Sequence, residues 1–152
     1  MKPTQYRDYF NNIHTSHVDI ASFLYADLAK ILSRQSDSYE YPLLIAETPT
    51  VKFLENGTEQ MRGAFIIIDR SDYGDRTDQE DAQDRTYEIA RDIIAKMRKD
   101  KKNGTLTAFE ASEHELEPID TLTLDGDIGW RYEFGIQDAT GEGLCYNKDK
   151  WL

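Results

Sequence analysis

The chain predicts an α+β domain in which a mostly antiparallel central sheet of four to five strands packs against a long helix, at about 80–102, and against N-terminal helices. Three observations carry this. Ala64–Ile68 is an unbroken apolar run, so both faces of that strand need covering and it belongs in the middle of a sheet. At 100° per residue, Ala82, Tyr87, Ile89, Ala90, Ile93, Ile94 and Met97 fall in one arc of roughly 160°, a core-facing helical stripe. Ile128, Trp130, Tyr132, Phe134 and Ile136 alternate with Gly129, Arg131, Glu133, Gly135 and Gln137, giving a strand with one apolar and one wet face.

Taken in order, residues 4–35 read as two helices. A short one runs through Tyr6, Tyr9, Phe10 and Ile13. A second runs from Ser16 or His17 to Arg34, with Ile20, Phe23, Leu24, Leu28, Ile31 and Leu32 at helical spacing. Residues 36–42 form a polar turn into a strand at Leu43–Glu47, which Pro49 ends. Val51–Leu54 then joins the central strand through Glu55-Asn56-Gly57-Thr58, where Asn-Gly suits a two-residue hairpin turn. That turn sets Phe53 opposite Gln60 and Val51 opposite Arg62, placing Val51 and Phe53 on the face of Ala64, Ile66 and Ile68.

The long helix starts at Asp78–Asp81 and ends at Lys102. Acids crowd its start and Lys96, Arg98, Lys99, Lys101 and Lys102 its end, the order that opposes the macrodipole, and Asn103-Gly104 supplies a left-handed stop. Residues 105–110 read as a strand and 111–118 as an acidic connector. Asp125-Gly126 suggests a hairpin from Thr121–Leu124 into the tryptophan-bearing strand, with a three-residue or bulged turn that sets Leu122 opposite Trp130. Residues 1–137 make one domain, and 138–152 a flexible C-terminal tail whose Trp151 and Leu152 could dock on a neighbour.

The net charge of −11 over 152 residues is concentrated. Residues 69–84 hold seven acids against Arg70 and Arg76, and residues 110–127 hold seven acids with no Lys or Arg. Such a chain lacks the electrostatic footprint of ordinary nucleic-acid binding. One cysteine, Cys145, excludes an internal disulfide and a thiolate metal site and suits a reducing cytoplasm. MKPTQYRDYF has no apolar core of a signal sequence, and no run reaches membrane-spanning length.

No catalytic constellation emerges, so no enzyme activity, catalytic residue, metal or cofactor is expected. His14 and His17 sit three apart, but no acid or thiol completes a ligand set, and the spacing reads as structural. His114 lies among Glu113, Glu115 and Glu117 in a polar connector. The loop from Asp69 to Glu80 places acids and Gly74 on calcium-loop positions. Tyr73 and Arg76 are wrong for that loop, however, and a strand leads in where a helix should, so it reads as an acidic loop that caps the helix. The candidate protein-contact residues are therefore surface ones: Asp72, Asp75, Asp78 and Glu80; Lys99, Lys101 and Lys102; Glu113 and Glu115; Trp151 and Leu152.

The element order, with TyrProLeuLeuIle at 41–45, GlyAlaPheIleIleIleAsp at 63–69, TyrGluIleAlaArgAspIleIleAlaLysMet at 87–97, and LeuGluProIleAsp followed by GlyTrpArgTyrGluPheGlyIle within 116–136, resembles the tail-terminator and tail-completion proteins of long-tailed bacteriophages. The resemblance spans about residues 20–137. It implies a virion structural protein, made in the host cytoplasm and resident in the tail or neck. Such a subunit forms a homo-oligomeric ring, commonly a hexamer, on the tail tube and meets the head-side connector protein, with no membrane and no sequence-specific nucleic acid among its partners. The alternative is a monomeric acidic nucleic-acid mimic that occupies the basic groove of a host or defence protein.

Overall fold

A computed structural model describes residues 1–27, 39–55, 57–72, 74–106, 109–110, 115–120, 127–137 and 148–150. In chain order they form α1 (Pro3–Ser16), β1 (Ser22–Ala26), β2 (Leu43–Glu47), β3 (Thr50–Phe53), β4 (Glu59–Arg70), α2 (Arg76–Lys102), β5 (Phe109–Glu110), β6 (Leu116–Asp120), β7 (Asp127–Gln137) and a short 3-10 turn at Lys148–Lys150. The fold is α+β, with a mixed sheet in which β1–β2 is the parallel pair and every other described pairing is antiparallel.

β4 is the centre. β7 pairs with it from Gln60↔Gln137 to Arg70↔Asp127, and β2 and β3 share its other edge end to end. Between Ala46↔Phe65 and Thr50↔Arg62, three residues, Glu47 to Pro49, oppose two, Gly63 and Ala64. The surplus residue is a bulge, a position that tolerates a proline lacking its N–H. On the far edge of β7, β6 and β5 likewise lie end to end.

The apolar run in β4 is covered on both faces, as its composition requires. Phe65 and Ile67 join Leu44, Tyr132 and Phe134 beneath α1 and α2, where Tyr6 and Phe10 are wholly buried. Aromatic rings lock this layer: Tyr6 to Phe10 at 5.0 Å, Phe10 to Phe134 at 5.6 Å and Phe65 to Tyr132 at 5.6 Å between centroids. Ile66 and Ile68 point the other way and are buried with Leu43, Ile45 and Ala26, with Leu24, Tyr39, Tyr41 and Ile119 packed against them. Each such side chain contributes roughly 1.5–3 kcal/mol by leaving water.

α2 begins at Arg76, a little before the expected start. Asp75 is its N-cap, its Oδ1 accepting from the Asp78 N–H at 3.1 Å, and Gly104 at φ +76° ends it. Its buried face holds Ala82, Ile89, Ala90, Ile93 and Met97 as the stripe predicts, together with Thr86 and Asp100, which the stripe missed. Thr86 satisfies its hydroxyl on the Ala82 carbonyl at 2.8 Å. Tyr87 is on the rim, 41% exposed, its ring 5.4 Å from Trp130.

Four expectations are corrected. The second N-terminal helix does not form over 17–27: Ser22–Ala26 is β1, with Phe23 and Tyr25 against the helix-side core and Leu24 and Ala26 on the opposite one. Side chains that serve two layers alternately need the strand period, and this requirement overrides the helical spacing. Residues 28–34 lie outside the described residues. The β3–β4 connection is a three-residue turn, with Leu54 N–H donating to Thr58 O at 2.9 Å, Gly57 N–H to Leu54 O at 2.9 Å, and Gly57 at φ +79°. The extra residue slips the register by one, so Val51 opposes Met61 and Phe53 opposes Glu59, and both side chains turn to the helix side. Leu116–Asp120, within and beyond the expected connector, is the strand that pairs β7, setting Pro118 opposite Trp130; the expected partner strand at 121–124 lies outside the described residues. Of the strand expected at 105–110, Phe109–Glu110 is strand, while Leu106 is buried in the core ahead of it.

Candidate assembly surfaces

The acidic start of α2 is a built helix entry. Asp72 Oδ1 accepts from Gly74 N–H at 3.2 Å, Asp78 Oδ2 from Asp72 N–H at 2.6 Å, and Asp75 Oδ1 from Asp78 N–H. Glu80 pairs with Arg76 at 2.9 Å one turn earlier. Carboxylates at a helix N-terminus meet its unsatisfied N–H groups, which explains why they cluster here. Asp69, the first position of the calcium-loop comparison, is engaged otherwise, accepting from Arg85 Nε at 3.0 Å and from Arg70 N–H at 2.8 Å. Among the described residues no group of three or more His, Cys, Asp or Glu side chains is placed to hold a metal ion.

Twenty-seven residues span about 40 Å at ~1.5 Å each, and at the other end Lys99, Lys101 and Lys102 are exposed. Asp100, in their midst, is not part of that surface. It is 4% exposed and accepts from Lys96 Nζ at 2.7 Å and from the Tyr9 hydroxyl at 2.8 Å, tying α1 to α2. Burial first, and the neighbouring Asp100 carboxylate second, push the Tyr9 hydroxyl well above the ordinary tyrosine range. Sequence reasoning missed this tie because Asp100 looks like one more charge on a charged helix end. Its 100° position beside Met97 and Ile93 was the available signal.

The face of the sheet opposite α1 and α2 carries a half-buried charge pair. Arg131 on β7 donates to both oxygens of Glu47, at 2.9 and 2.8 Å, and to Glu133 at 2.5 Å. The hydrogen bonds it donates to Glu47 hold the Arg131 guanidinium firmly charged against the opposing effect of burial. Beside this pair the bulge opens a groove of about 380 Å³, floored by Gly63, Ala64 and Gly135 and walled by Thr48, Thr50 and Arg62.

Of the histidines described, His14 stacks on Phe23 at 6.3 Å, and His17 Nε2 lies 3.1 Å from Asp92. Of the candidate contact residues, the structure gathers Asp72, Asp75, Asp78 and Glu80 at one end of α2 and Lys99, Lys101 and Lys102 at the other. Glu115 is exposed immediately before β6. Glu113, Trp151 and Leu152 lie outside the described residues, as does His114. The surface that sequence reasoning did not find is the β3 edge, where Val51 is 39% and Phe53 53% exposed. The expected register had put both against the opposite face of the sheet. No family model matches the chain, and no curated protein matches it.

Proposed function

We propose that this protein is a structural subunit that assembles head to tail with copies of itself, in the manner of the tail-terminator rings of long-tailed bacteriophages that its sequence resembles, with a tail tube protein and a head-side connector as its further partners. The observation that carries the reading is the charge arrangement of α2: one rigid helix presents carboxylates at its start and lysines at its end, about 40 Å apart. Unlike patches at opposite ends of one subunit suit a heterologous contact, which closes into a ring when the rotation allows. Exposed acids on such a ring would keep passing DNA from adhering to it.

Light scattering on a sizing column at several protein concentrations tests self-association, and charge reversal at Lys99, Lys101 and Lys102 tests its basis. The expected result is assembly that weakens with added salt in the parent chain and is lost in the reversed variant. Assembly with the same salt dependence in both rejects the charge contact. Absence of the chain from purified tailed particles, probed with an antibody, rejects the ring reading itself.

A further inference from the structure

The two outer strands β3 and β6 are complementary to each other, and no described strand pairs with the outer edge of either. The Leu54–Thr58 hydrogen bond fixes which backbone groups face where. In β3, Thr50, Lys52 and Leu54 turn theirs toward β4, so Val51 and Phe53 turn theirs outward. Carried across β4 and β7, the same alternation points Glu117 and Ile119 of β6 inward and Leu116 and Pro118 outward. That is where a proline belongs, since it has no N–H to offer β7.

We infer that β3 of one copy of this chain pairs antiparallel with β6 of the next, with Phe53 opposite Leu116, Lys52 opposite Glu117 and Val51 opposite Pro118. This deepens the head-to-tail assembly proposed above and rests on it. In that register three of the four outward backbone bonds form: Phe53 and Leu116 exchange both of theirs, and Val51 N–H donates to the Pro118 carbonyl. Val51 and Phe53 bring their exposed side chains to the helix side, where Leu116 and Pro118 also point, because their partners Trp130 and Tyr132 are there. Lys52 and Glu117 meet on the other side as a directly opposed, closely spaced pair of opposite charge.

A two-fold pairing of β3 with itself has no such match. Its symmetric register sets Lys52 against Lys52, and the alternatives engage Pro49 or the turn. Strand direction also agrees: β3 and β7 run one way and β4 and β6 the other, so copies in the same orientation meet antiparallel with α1 and α2 of every copy on one side. Val51 is level with Met61, whereas Pro118 is level, through Trp130, with Ile67. Each copy is therefore displaced along the strands by about 20 Å, at ~3.3 Å per residue, over a width of about 19 Å for four strands. The strands then lie at about 45° to a ring axis, close to the tilt of sheets that close on themselves. The displacement also carries the acidic start of one α2 toward the level of the lysine-rich end of the α2 before it.

Cysteine crosslinking tests the register. In a Cys145→Ser background, Lys52→Cys is mixed with Glu117→Cys under mild oxidation, and the chain carrying both changes is oxidised alone. The expected results are a covalent dimer from the mixture and a ladder from the double variant, since directly opposed residues of this kind lie within disulfide reach. Without cysteines, Lys52→Glu and Glu117→Lys each weaken self-association about fivefold to tenfold, and together they restore it. Oligomers that give neither crosslink nor rescue overturn the strand pairing and leave the ring reading standing. A chain that stays monomeric and gives no crosslink overturns the pairing as well, while presence in particles remains the separate readout of the ring reading.

Discussion

Tyr6 shows how much a single side chain does here. Its ring is wholly buried beneath α1, stacked 6.0 Å from Phe134, and its hydroxyl donates to the Ala64 carbonyl at 3.3 Å. Space for it exists because position 63 has no side chain: a Cβ there would stand 2.7 Å from Tyr6 Cε2. Gly63→Ala is therefore expected to destabilise the fold by about 1–3 kcal/mol through overpacking, read as a lower urea midpoint at unchanged slope. An unchanged midpoint would mean that α1 shifts freely. Burial raises the Tyr6 hydroxyl well above its ordinary value, and burial with Asp100 does so for Tyr9. The unfolded chain ionises these groups near pH ~10 while the folded one does not. Their contribution is fully present below that pH and drains away as pH rises beyond it. Stability is expected to fall as pH rises above about 10, less steeply in Tyr6→Phe, with tyrosinate absorbance from these residues appearing only as the chain unfolds. Equal slopes in the two chains would contradict this.

Among elements, those whose local pattern and tertiary demand agree were legible. β4 is apolar on both faces and buried on both, and α2 shows its stripe, its cap and its dipole-matched charges within one window. β1 was not legible, because Ile20, Phe23 and Leu24 fit a helical spacing as well as a strand, and a five-residue run cannot decide between the periods. What decides is the neighbour: the buried β2 turns backbone N–H and C=O groups to its outer edge, and β1 pairs them. The β3 register failed for a smaller reason. Asn-Gly at 56–57 reads as a complete two-residue turn, whereas Gly57 serves as the left-handed third residue, and a slip of one exchanges the faces of Val51 and Phe53. That exchange is also why the assembly edge stayed hidden while the charged ends of α2 were visible as charge runs. Asp75→Ala tests the α2 entry: it is expected to cost about 1 kcal/mol, as loss of an N-cap does, by thermal or urea unfolding. No change would place the cap on Asp72 or Asp78 instead.

For the molecule as a whole, β4 and β7 form the longest pairing and stand between both helix-side and opposite-side cores, so their amides should exchange with solvent only through global unfolding. Among the described strands β3 is held by β4 alone, and it has four exposed side chains, placing it at the low end of local stability. The alternation of its backbone gives a sharper expectation than a ranking. The Lys52 amide is turned into the sheet and should be protected in the dilute chain, while the amides of Val51 and Phe53, facing outward, should exchange at nearly the rate of an unstructured peptide. If copies join edge to edge, raising the protein concentration will slow exchange at Val51, Phe53 and Leu116 together and leave Lys52 as it was. If they join only through the charged ends of α2, none of the three will change. Residue-resolved hydrogen exchange at two concentrations separates these cases, because Val51 and Lys52 are adjacent in the chain and differ only in the direction their N–H groups point.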